Sequence, residues 1–155
     1  MIFRRETLLA SLIAATSLFT MSACDHSPSV AVPTPDSKAA GYCAKLHQKL
    51  PAKLDGISRR DPKPSSKMTA EWGKLVVLRC GVDRPAEDLD GNADGGDIGG
   101  VSWSYASLSD GSSRMTTTLR KVYVEVTLRG KYARDAGVLT DLAPAIKHTI
   151  PVGIA

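Results

Sequence analysis

The sequence predicts an α+β fold, a two-layer sandwich with two helices on one face of an antiparallel sheet of about four strands. Three observations predict it. Apolar residues recur at helical spacing in two places, one near each end of the part that can fold. Between them lie runs that alternate apolar and polar residues, the clearest being Val122, Val124, Val126 and Leu128 against Tyr123, Glu125 and Thr127. Clusters of Gly, Asp and Ser punctuate those runs at turn-like intervals.

Residues 1–23 read as an export signal rather than as part of the fold. Arg4 and Arg5 supply a positive start, residues 8–19 an apolar run, and Ser22 and Ala23 a small-residue end. The run is short of the roughly 20 residues that a spanning helix needs, and it contains Ser11, Thr16 and Ser17. Met21-Ser22-Ala23-Cys24 resembles a lipobox, so cleavage before Cys24 and lipidation of its thiol are expected. Arg4-Arg5 ahead of Leu8-Leu9 keeps a twin-arginine route open beside the general one. The cysteine count agrees with lipidation. Three cysteines are odd for an exported chain, and modifying Cys24 leaves Cys43 and Cys80 to form a disulfide.

Removing those 23 residues, with Arg4, Arg5 and Glu6, from the 155 leaves 132 residues with 18 basic and 15 acidic side chains. So mild an excess, spread along the chain, is no nucleic-acid signature; the expected partner surface is the membrane reached through the anchor. Residues 24–36, with Pro28, Pro33 and Pro35, read as a disordered tether. A single domain is expected over residues 37–151, and a short tail over 152–155.

The first helix starts at an Asp36 or Ser37 cap. It buries Ala39, Tyr42, Cys43, Leu46 and Leu50, leaves His47 toward its polar side, and ends at Pro51. Residues 53–66 read as a loop broken by Asp55-Gly56, Pro62 and Pro64. Residues 75–80 make a strand, stopped by Gly81 and Pro85. A Cys43–Cys80 disulfide fixes its parity, with Val76, Leu78 and Cys80 toward the helix and Leu75, Val77 and Arg79 away from it. Residues 100–106 make the next strand, residues 109–112 a turn, and residues 115–119 and 121–128 two more strands joined near Arg120. The second helix carries Val138, Leu139, Leu142, Ala145 and Ile146. Pro144 implies either a start near Thr140 or Asp141, or a kink.

Asp90, Asn92, Asp94 and Gly95 match the opening of a calcium loop, but its twelfth position is Val101, where a bidentate glutamate is expected. Calcium is therefore only a weak cofactor candidate, and no other is indicated. None of the three histidines has metal-ligand spacing to another, and no Gly-x-Ser-x-Gly turn occurs, so no catalytic residues are assigned.

The chain resembles the domain of unknown function 3515 family of actinobacterial lipoproteins. The likeness rests on Tyr42-Cys43-Ala44-Lys45-Leu46, Thr69-Ala70-Glu71-Trp72-Gly73, Leu78-Arg79-Cys80-Gly81-Val82, Gly100-Val101-Ser102-Trp103, Val122-Tyr123-Val124-Glu125-Val126-Thr127 and Asp141-Leu142-Ala143-Pro144. It covers nearly the whole mature domain. It implies an exported or lipid-anchored envelope protein of unknown activity, with its paired cysteines at Cys43 and Cys80, and carries over no catalytic residues; with the lipobox, the expected location is the outer face of the cytoplasmic membrane. The expected function is that of a non-enzymatic binding or accessory module, with a cell-wall hydrolase and a calcium-stabilised structural domain as alternatives. By strand parity Arg79, Tyr123 and Glu125, with Trp103 and Tyr105, form the candidate surface for an envelope protein, peptide or glycan.

Overall fold

The structure, a computed structural model, describes residues 29–89 and 93–155. It contains two long helices, α1 (Ser37–Lys49) and α2 (Val138–Thr149). Between them come eight strands: β1 (Lys53–Leu54), β2 (Ile57–Arg60), β3 (Thr69–Trp72), β4 (Val76–Val82), β5 (Gly95–Ile98), β6 (Val101–Ser107), β7 (Ser113–Thr117) and β8 (Tyr123–Leu128). The α+β class and the antiparallel sheet hold, while the strand number doubles. The additional strands are β1, β2, β3 and β5. Each is at most four residues long, too short to show a period.

The spatial order β1-β2-β3-β4-β8-β7-β6-β5 describes two meanders joined by pairing of β4 with β8. The stretch expected as a loop over 53–66 contains the first hairpin. Asp55 and Gly56 both adopt positive φ in its two-residue turn, where Asp-Gly fits the twist of the flanking strands. Residues 95–98, which follow the calcium-like Asp90, Asn92 and Asp94, form β5, whose pairing with β6 places it on the far edge.

Asp36 caps α1, its carboxylate accepting from the amides of Lys38 and Ala39 at 2.8 and 2.9 Å. Asp36→Ala is expected to cost about 1 kcal/mol, read as a lower thermal midpoint with unchanged far-ultraviolet dichroism at low temperature. The second helix begins at Val138, earlier than Thr140 or Asp141, so Pro144 lies inside it.

One face of the sheet makes the core. Val76, Leu78 and Cys80 of β4, Val124, Val126 and Leu128 of β8, and Val101 and Trp103 of β6 pack in one cluster with Cys43 and Leu46 of α1 and Leu142 and Ile146 of α2. All are buried apolar groups, and their removal from water is the main favourable term in folding. The expected parity of β4 is observed, because Cys80 bonds to Cys43 across the two layers.

Candidate functional site

The site forms on the other face. Strand registers align Arg79 with Glu125, Glu125 with Thr116, and Thr116 with Ser104, so these four residues make a row across β4, β8, β7 and β6. The Arg79 guanidinium meets the Glu125 carboxylate at 3.0 Å, with side-chain exposures of 29% and 11%. Two segments cover this row.

The first is the chain ahead of α1. Its part within 24–36 that the structure describes, residues 29–36, was expected to be a disordered tether. It instead runs against the sheet. The Arg79 Nε donates to the Ala31 carbonyl at 2.9 Å, the Val30 amide donates to the Lys63 carbonyl at 3.2 Å, and Pro33 is buried. Pro35 packs on Gly81, which has φ +84; a Cβ there would stand 2.5 Å from the proline ring. Prolines read as spacer in composition, yet they also lose little entropy on ordering and offer apolar rings to a flat surface.

The second cover is the connection from β4 to β5, which must cross β8, β7 and β6. It passes over this face through a short 3₁₀ turn, Ala86–Leu89. Glu87 pairs with Arg114, and Asp88 accepts from the Ser104 hydroxyl at 3.0 Å. Between strap and crossover lies a cleft of about 530 Å³ with Arg79, Glu125, Arg114 and Glu87 along it. A second opening of about 490 Å³ lies on the other side of the strap and shares Arg79 and Glu125. Sequence reasoning missed the strap and the Glu87–Arg114 pair. Their placement depends on the crossover, which no local pattern encodes.

The predicted surface is thus divided. Arg79, Tyr123 and Glu125 share the open face, where Tyr123 borders a further hollow with Arg84, Thr118 and Leu119. Trp103 and Tyr105 do not join them. Tyr105 pairs with Met115, and Met115 with Val126, which places the two aromatics of β6 on the helix-bearing face. Trp103 is a core residue, and Tyr105 lines a separate pocket on that face. Hydrogen bonds with Ser107, then with Ser113, hold the Tyr105 hydroxyl below the usual tyrosine range.

Cys24, Asp90 and Asn92 lie outside the described residues. Asp94 is exposed, and its carbonyl accepts from the Tyr105 amide at 2.7 Å, so it extends the β5–β6 pairing. Among the described residues no group of three or more His, Cys, Asp or Glu side chains converges on a point.

These features define a small, disulfide-braced α+β domain with one face of its sheet under two helices and a charged cleft on the other. The chain belongs to the family described as Protein of unknown function (DUF3515), which it matches over residues 6–154. No curated protein and no solved structure matches it.

Proposed function

We propose that this chain is an exported, lipid-anchored, non-enzymatic module that binds an extended peptide segment of an envelope partner in the cleft on its open face. The lipobox-like Met21-Ser22-Ala23-Cys24 supports the anchor. The Cys43–Cys80 disulfide suits an oxidising compartment outside the cytoplasm.

The observation that carries the binding reading is the strap itself. Residues 29–35 show that the sheet face holds an extended, proline-bearing peptide, gripped through a main-chain carbonyl by Arg79. Beside the strap, Arg79 and Arg114 alternate with Asp83, Glu87 and Glu125, so the cleft carries charges of both signs with one carboxylate in excess. Such a surface suits a ligand that offers both donors and acceptors, as a peptide main chain does, over a simple anion. A glycan would gain from aromatic platforms, and the placement of Trp103 and Tyr105 on the other face leaves only Tyr123 of the predicted three.

A photo-crosslinking residue at Val32, bordering the cleft, is expected to trap one envelope protein in intact cells. The same residue at Lys45 on α1 is expected not to. Arg79→Ala with Glu125→Ala should lower the Val32 adduct by about tenfold or more, equivalent to about 1.4 kcal/mol of binding, while thermal unfolding stays cooperative. An undiminished adduct would rule out the cleft. Cys24→Ala should release the protein from membranes without affecting the purified domain's stability; a variant still in the membrane fraction would rule out the anchor.

A further inference from the structure

We propose that the pocket on the helix-bearing face, lined by Tyr105, Met115 and Leu128, binds a small uncharged amphiphile, an apolar chain or ring ending in a hydroxyl or amide. The pocket exists because an eight-stranded sheet is wider than two helices can cover. Its floor is the sheet surface at Gly96, Tyr105, Ser113, Met115 and Leu128, and its wall is the connection from β8 to α2 at residues 132–136. It holds about 590 Å³, within the range of small-molecule sites.

Two observations point to an occupant. First, Gly96 pairs with Trp103 and therefore faces the pocket side of the sheet, and a Cβ built on it meets nothing within 4 Å. Its φ is not positive, so the backbone has no need of glycine there; what glycine leaves is space. Second, the wall is fixed. The Tyr132 hydroxyl donates to Asp55 at 2.6 Å, and Ser113 donates to the Ala133 carbonyl.

Chemistry sets the ligand class. Met115, Leu128, Ile98 and Ala136 supply apolar lining. The polar end has the Tyr105 hydroxyl, bonded to Ser107 at 2.7 Å, and at the rim Arg134, Asp94 and Asp135. One cation beside two carboxylates repels a negatively charged head, and these groups together offer both donors and acceptors to a neutral one.

The test follows the Met115 methyl resonance of the protein while decanol or decanoate is added below its aggregation limit. Decanol is expected to shift it saturably, with decanoate binding more weakly. Gly96→Leu should weaken decanol at least about tenfold and Gly96→Ala by less, with the dispersion of other methyl signals intact. The Arg79→Ala, Glu125→Ala variant should bind decanol as the native chain does. A non-saturating shift, or equal affinity in Gly96→Leu, overturns the site, and tighter binding of decanoate overturns the uncharged head.

Discussion

Replacing Cys43 and Cys80 together by alanine is expected to lower stability by about 3 to 4 kcal/mol, the chain-entropy value for cross-linking residues this far apart. The bond closes a sequence separation of 37 residues. For a domain of this size the loss corresponds to a thermal midpoint lower by about 10 to 15 °C. Both cysteines are buried, at 0% and 1% exposure, so alanine replaces each sulfur with a small void and no stranded polar group. Serine would add an unsatisfied hydroxyl and confuse the measurement. Native protein in reductant should melt near the double variant, and the variant should not respond to reductant. Midpoints of the oxidised native protein and the double variant within a degree or two of each other would show that packing alone holds α1 on the sheet.

That bond also explains which parts of the fold were legible. Its parity put Val76 and Leu78 under the helix and Arg79 on the other face, and antiparallel register carries the alternation to Glu125 on β8. Strands β4 and β8 are long enough to alternate visibly, and α1 carries a cap, an apolar stripe and a terminating proline. The alternation of β6 was legible as well, but its phase was not. A strand's pattern gives two faces without saying which one meets the core, and a shift of one residue exchanges them. Grouping Trp103 and Tyr105 with Arg79 took the wrong phase. The rule that large apolar side chains seek the core would have put Trp103 inside.

The strap and the short strands failed for a different reason. Residues 29–35 have no period, and their order comes from contacts with Gly81, Arg79 and Lys63 that the folded sheet brings near. Strand β5 begins with two glycines and owes its extended form to pairing with β6. Tertiary partners overrode local propensity in each case. The candidate site suffered most, because both of its covers are irregular segments.

Trp72→Ala is expected to cost about 3 to 5 kcal/mol, as large as any single change in this domain, although its strand was not recognised. Trp72 is wholly buried on β3, and its indole N–H donates to the Pro51 carbonyl just beyond α1 at 3.2 Å. Its neighbour across the ladder, Arg59 of β2, reaches the same helix end, donating to the carbonyls of His47 and Leu50 at 3.0 and 3.1 Å. The last carbonyls of a helix lack intrahelical partners and carry its negative pole, so a cation and an N–H donor are the groups they require. Strands β2 and β3 thus hold the C-terminal end of α1, while Cys43 holds its middle. Trp72→Phe keeps most of the buried ring and loses the hydrogen bond, for which about 1 kcal/mol is expected. Denaturant titration of both variants separates packing from hydrogen bonding, and amide exchange gives the location. Faster exchange at Leu46 and Leu50 in Trp72→Phe, with Leu142 and Ile146 unchanged, is expected from a local anchor. Uniform acceleration across both helices would instead make Trp72 an ordinary core residue with no special hold on α1.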